Sequence, residues 1–160
     1  VRVTYRYIPP LSVLYARRLG PYPSSAHAAW LAMNRWLELR QLRRQVIRGF
    51  GFLHDNPQCT PPELLRFDAC VMVRTNVQAD AEAGIGRQML EGGTYAVHPH
   101  IGSYATAGRV LSDLHRDVVP KRGLLVDYDR PFIVAYLNDP LVTREVHRRT
   151  ELCVPVLPIS

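Results

Sequence analysis

Residues 2–7, RVTYRY, alternate in polarity and are rich in Val, Thr and Tyr, which predicts a strand. Pro9 and Pro10 break it, a second strand follows at about 13–19, and Gly20-Pro21-Tyr22 ends that one. Ser24 or Ser25 suits a helix N-cap, and from there Ala26, Trp30, Met33 and Leu37 recur at helical spacing to give one apolar face. That stripe fades at Gln41, and Trp36 lies off it. A strand at 46–54, the turn Asp55-Asn56-Pro57, a short helix opening at Thr60-Pro61-Pro62-Glu63 and a strand at 67–73 follow. Thr, then Pro, then Glu is a helix-start signature, because Pro has no N–H to leave unpaired in the first turn.

Residues 75–84 are small or polar and read as a linker, after which the plan recurs. Strands are predicted at 85–90 and 94–101, separated by the turn Glu91-Gly92-Gly93. Ala107, Val110, Leu111 and Leu114 mark a helix ended by Pro120 and Gly123. A strand at 132–137, the turn Asn138-Asp139-Pro140, a short helix at 143–146 and a strand at 152–156 complete it. The recurrence is literal. Residues 49–73 and 132–156 align without a gap at an offset of 83, pairing Pro57 with Pro140, Thr60 with Thr143, Arg66 with Arg149, Asp68 with Glu151 and Cys70 with Cys153. Gly20-Pro21-Tyr22 matches Gly102-Ser103-Tyr104 at an offset of 82. The expectation is α+β: duplicated strand-strand-helix-strand-strand halves with antiparallel sheets and helices to one side. The first half is residues 1–75, the linker 76–84 and the second half 85–160, together one domain of 160 residues. Two such copies are expected to pack about a pseudo-twofold axis and leave a shared cleft, where pockets concentrate.

Alternation along the strand puts Phe132, Val134 and Tyr136 on one face, and the offset puts Gly49, Gly51 and Leu53 on the matching face of the first half. Two glycines there widen a cavity, or else permit close helix packing or a bulge. The predicted ligand-binding residues are therefore Gly51, Leu53, Phe132, Val134 and Tyr136, with Trp36, His98 and His100 at the rim. His98 and His100 point to the same side of a strand, as two metal ligands would. No third ligand sits at a convincing spacing and Pro99 disturbs the geometry, so no metal is assigned. Ser103 lacks a nucleophile elbow. Asp68 and Glu151, each shortly after an arginine (Arg66, Arg149), read as structural ion pairs, with catalytic carboxylates as the alternative. No catalytic residue and no cofactor is assigned.

The net charge is +6 and Lys121 is the only lysine. The arginine clusters, Arg40, Arg43, Arg44 and Arg48, then Arg144, Arg148 and Arg149, fall at helix ends and connectors, where cations favour the C-terminal dipole. A nucleic-acid surface would gather them on one face with aromatics between. Three cysteines without a C-x-x-C pair argue against a zinc ribbon or a redox motif, and Cys70 and Cys153 read as small buried thiols. No apolar run approaches the roughly 20 residues of a bilayer span, and no leader precedes the first strand, so no membrane partner and a cytoplasmic location are expected. The chain starts at Val1 rather than Met, which weakens the argument from the leader.

GPY before a Trp-bearing helix, HDNP-x-x-TPPE-x-x-RFDACVMV, GGTYAVHPHIGSY, YLNDP and ELCVPV together resemble the GyrI-like small-molecule-binding domain over nearly the whole chain. That family includes effector-binding domains of AraC-type and MerR-type regulators and SbmC-like gyrase inhibitors. The resemblance implies a duplicated α+β fold with an apolar, aromatic cleft for small molecules, often lipophilic cations. Three functions follow from it: the sensor of a transcription regulator, with a DNA-binding domain in the same or another chain; a stand-alone module acting on DNA gyrase; or a hydrolase of electrophilic toxins. The family pattern E-x-Y-L-N-D-P carries a glutamate where this chain has Val134. Neutral apolar or aromatic ligands are then the expected guests, and carboxylate catalysis is expected to be absent unless Glu151 substitutes.

Overall fold

The computed structural model describes residues 1–74 and 76–157. Its elements in order are β1 (Thr4–Ile8), β2 (Leu11–Leu19), α1 (Tyr22–Leu39), β3 (Val46–Leu53), β4 (Arg66–Val73), β5 (Ile85–Leu90), β6 (Gly93–Ile101), α2 (Tyr104–Asp113), β7 (Leu125–Val126), β8 (Phe132–Tyr136) and β9 (Arg149–Leu157). The fold is α+β and every described strand pairing is antiparallel. Two compact units divide the chain: Pro10–Glu91, and Val1–Pro9 together with the chain from Gly92 onward.

In the unit Pro10–Glu91 the strand order is β3-β4-β2-β5, with α1 on one face. Leu14 and Ala16 of β2 and Phe67, Ala69 and Val71 of β4 form a buried core with Ala29, Met33, Trp36 and Leu37 of α1. The buried face of α1 is Ser25, Ala29, Met33, Trp36 and Leu37, one position round from the predicted stripe. Ala26 and Trp30 pack at the edge of that core. Helical spacing admits both phases, and the small Ser25 and Ala29 are the side chains that fit beneath a helix lying on a sheet. Ser25 is thus inside the helix rather than capping it; Pro21 occupies the cap and Tyr22 begins the helix.

In the other unit the order is β1-β6-β9-β8, with β7 also on β9. Leu152, Val154 and Val156 of β9 alternate toward α2 and are buried, as are Ala107 and Leu111 of the helix. The helix runs on through a π-helical turn (Leu114–Val118) to a last turn ending at Lys121. Among the described residues no helix is long and apolar enough to cross a membrane.

The outer strands are exchanged relative to the sequence reading. Residues 2–7 were expected with the first half, yet β1 pairs with β6, from Thr4 opposite Val97 to Ile8 opposite Gly93. Residues 85–90 were expected with the second half, yet β5 pairs with β2, from Leu11 opposite Leu90 to Ala16 opposite Ile85. Alternation shows which side chains are buried; it does not name the partner strand.

The duplication itself is visible in matching hydrogen bonds. Gly20 N–H donates to Leu65 O at 2.9 Å, and Gly102 N–H donates to Arg148 O at 2.8 Å. Arg66 N–H donates to Asp55 at 2.8 Å, and Arg149 N–H donates to Asn138 at 3.1 Å. The short helices at Pro62–Leu64 and Glu145–His147 are both 3-10 turns at the offset of 83. Gly20 and Gly102 hold φ at +129° and +134°, a region that L side chains rarely adopt. Gly102→Ala is expected to lower stability by about 1–3 kcal/mol. Gly108→Ala, in α2 with open space at its Cβ position, should raise it by about 0.5–1 kcal/mol. Urea midpoints for the two variants should move in opposite directions.

Candidate ligand-binding face

The sequence-predicted site residues fall into two groups. Trp36, Gly51 and Leu53 belong to the unit Pro10–Glu91; His98, His100, Phe132, Val134 and Tyr136 belong to the other. Gly51 lies opposite Ala69 and Leu53 opposite Phe67, so both sit on the α1-facing side, where Leu53 packs against the core. Trp36 is nearly buried, and its indole N–H donates to Asp80 Oδ2 at 3.0 Å. Arg40 reaches the same oxygen at 2.7 Å. The indole hydrogen bond above all holds the Asp80 carboxyl below its usual range. Trp36, Arg40, Leu42, Gln45, Val77 and Asp80 are among the residues lining an open groove of about 720 Å³. Trp36 is therefore pinned by a polar partner that its off-stripe position did not reveal.

On the second unit β8 turns Phe132, Val134 and Tyr136 toward α2. Phe132 packs on His115 with ring centroids 4.9 Å apart and the planes tilted by 53°, and Tyr136 meets Tyr104 edge-on at 5.3 Å. Tyr128 packs against both Phe132 and His115, and its hydroxyl lies 3.1 Å from His115 Nδ1. Burial, then the nearby Arg116 charge, pushes the His115 pKa down, so the ring is neutral at pH 7. Burial likewise pushes the Tyr104 hydroxyl up. Val134 lies between Phe132 and Tyr136 and is half-buried, leaving its isopropyl group partly open amid this ring of aromatics.

Cross-strand register extends the face. Val134 lies opposite Leu152, and Tyr136 opposite Thr150. His98 lies opposite Leu152 and His100 opposite Thr150, so both imidazoles share this side. They do not act together. His98 Nδ1 is 2.5 Å from the Arg2 carbonyl, whereas His100 is buried with its Nε2 unpartnered. Among the described residues no group of three or more His, Cys, Asp or Glu stands together as a metal site would require. No carboxylate occupies an α2-facing position of β6, β8 or β9.

The two acidic residues singled out in the sequence lie on the opposite sheet faces. Asp68 faces away from α1 with its side chain fully buried. It accepts from Arg17 Nε at 2.7 Å, Arg17 Nη2 at 2.9 Å, Gln88 at 2.7 Å and His54 Nε2 at 2.6 Å. Burial raises its pKa, but the Arg17 and His54 hydrogen bonds and charges outweigh that and hold it at about 2. Glu151 lies opposite Ala135 and pairs with Arg6 at 2.9 Å. Both acids form ion pairs, with Arg17 and Arg6 rather than with Arg66 and Arg149; Arg66 pairs with Asp55 instead. Glu151 is thus on the wrong side of the sheet to replace the carboxylate missing at Val134.

The sequence pattern of the GyrI-like small molecule binding domain matches residues 2–157. The chain belongs to that family. Among GyrI-like relatives, the probable transcriptional regulator YgiV of Escherichia coli (strain K12) is 30% identical over 107 residues, covering 67% of this chain and 66% of YgiV. The EcmrR C-terminal domain superimposes with a TM-score of 0.77 at 16% identity, covering 99% of this chain and 98% of that domain. In the EcmrR–DNA complex the match spans 58% of the EcmrR chain. SAV2435 bound to tetraphenylphosphonium gives a TM-score of 0.69 at 12% identity, covering 98% of this chain and 94% of that one.

Proposed function

We propose that this GyrI-like domain is the effector-binding part of a transcription regulator, and that small neutral aromatic or apolar molecules bind on the α2-facing side of β8. The observation that carries the reading is Val134, half-open between Phe132 and Tyr136 on a face lined by rings, where the α2-facing positions of β6, β8 and β9 hold no carboxylate. Support comes from the family and from relatives of two kinds: EcmrR, seen in complex with DNA, and SAV2435, seen with a lipophilic cation. The DNA-binding part would lie in the same chain or in another.

Val134 decides the class of ligand. A carboxylate there would stabilise a bound cation, whereas an isopropyl group offers only burial, about 25 cal/mol per Å² of apolar surface. The guest is then selected by ring contact rather than by charge. N-phenyl-1-naphthylamine, a neutral dye that fluoresces when shielded from water, is expected to bind with little dependence on salt. Val134→Arg should weaken that binding by more than about tenfold, because it forces an unpaired guanidinium among apolar rings. Unchanged dye affinity in a variant with the wild-type circular dichroism would remove this face as the site.

A further inference from the structure

The geometry points to an anion-accepting pole at one end of this face: His100, Arg148 and Thr150 hold the carboxylate or sulfonate of an aromatic ligand whose rings lie on Val134 and Tyr136. The inference rests on the ligand face proposed above and names the polarity of its guest. His100 Nε2, Arg148 Nε and Thr150 Oγ1 are all buried and none has a hydrogen-bond partner. His100 and Thr150 are 8% and 1% exposed. Native interiors rarely leave such atoms unpaired, and three in one place call for a common acceptor.

They are in one place. His100 and Thr150 face each other across β6 and β9, and Thr150 faces Tyr136 across β9 and β8. Arg148 precedes Thr150 by two residues on extended backbone, and its guanidinium lies over the Tyr104 ring at 4.8 Å, next to Tyr136. Each of the three groups can donate a hydrogen bond, and Arg148 adds a fixed positive charge. The carboxylate acting on Tyr104 is Asp139, which is exposed.

The duplication supplies an internal control. At the offset of 83, Arg148, Thr150 and Tyr136 correspond to Leu65, Phe67 and Leu53, which are apolar. Leu65 and Phe67 are buried, and Leu53 packs against the core. At the offset of 82, His100 corresponds to the exposed Arg18. At these matched positions the first copy carries apolar or exposed side chains, so the buried and unpartnered set His100, Arg148 and Thr150 is particular to the second copy. With Val134 in place of an acid, the pole reverses the charge preference that a glutamate would give.

The test compares 8-anilinonaphthalene-1-sulfonate with N-phenyl-1-naphthylamine, which share the ring system and differ by the sulfonate. Arg148→Leu, the residue of the first copy, is expected to weaken the sulfonate about tenfold and the neutral dye less than about twofold. Thr150→Val should act in the same direction by about threefold. Equal loss of both dyes, or no loss of the sulfonate in either variant, overturns the pole. If Arg148→Leu fails to fold, the near-isosteric Thr150→Val decides alone. Failure of the face itself reads differently: Val134→Arg would then leave the neutral dye bound, whatever the sulfonate does.

Discussion

Val134→Glu is expected to turn the domain into a cation binder, raising its affinity for tetraphenylphosphonium by about 10- to 100-fold. Two opposite charges about 4 Å apart attract by roughly 4 kcal/mol at an effective dielectric constant near 20. Desolvating both takes back part of that, so about 1.4–3 kcal/mol should remain. The half-buried position suits this, since a fully exposed carboxylate would be screened and a fully buried one would be neutralised. Tetraphenylborate, of nearly the same shape and opposite charge, is the control, and its affinity should fall. Titration calorimetry at low and high salt reads both. If the two ions move together, the glutamate has altered packing rather than charge, and Val134 does not set the ligand class.

The largest effect on stability is expected at Asp68. Asp68→Asn puts an amide where Arg17, His54 and Gln88 all donate, leaving buried donors and an unneutralised charge. Breaking a buried pair in this way costs about 3 kcal/mol, or roughly 6–12 °C of melting temperature for a domain of this size. The same carboxylate predicts a pH dependence. Its pKa is about 2 in the folded chain against an ordinary 3.8, so the folded state binds its proton more weakly than the unfolded state does. The stability it contributes is complete above about pH 4 and is lost as the pH falls from there through 2. Asp55, raised by burial but lowered further by Arg66, adds a loss of its own. The reading is therefore the difference between wild type and Asp68→Asn, which should shrink steadily between pH 4 and pH 2 in urea titrations. A difference that stays constant over that range would mean Asp68 is not the group responsible.

Much of the fold was legible because the chain states it twice. The offset of 83 relates the 3-10 turns at Pro62–Leu64 and Glu145–His147, and the offset of 82 relates the positive-φ Gly20 and Gly102, since a copied local sequence repeats its local hydrogen bonds. Strand exchange was not legible, because β1 and β5 look alike as isolated alternating segments and their partners are set by long-range register. The ion pairs were read with the right acids and the wrong bases. Arg66 and Arg149 are near Asp68 and Glu151 in sequence, but the cross-strand neighbour of Asp68 is Arg17. On the proposed ligand face, alternation placed Phe132, Val134 and Tyr136 on one side, as their ring contacts and register show. It missed Tyr104, His115, Tyr128, Arg148 and Thr150, which reach the same surface from other elements. Two of these did leave a signal. Where Leu65 and Phe67 become Arg148 and Thr150, a repeat changes from oily to polar at positions that are structurally matched.

The exchange of outer strands bears on how the chain is made. Residues 10–91 form a continuous unit whose sheet can assemble once they have emerged from the ribosome. β1 emerges before that unit, yet its partner lies at residues 93–97, so it must wait through all the intervening synthesis. During that delay Thr4–Ile8 is an unsatisfied edge, and closing so long a loop is slow. Arg6 within it and the prolines that follow it are the kind of residues that keep a waiting edge from pairing with a neighbouring nascent chain.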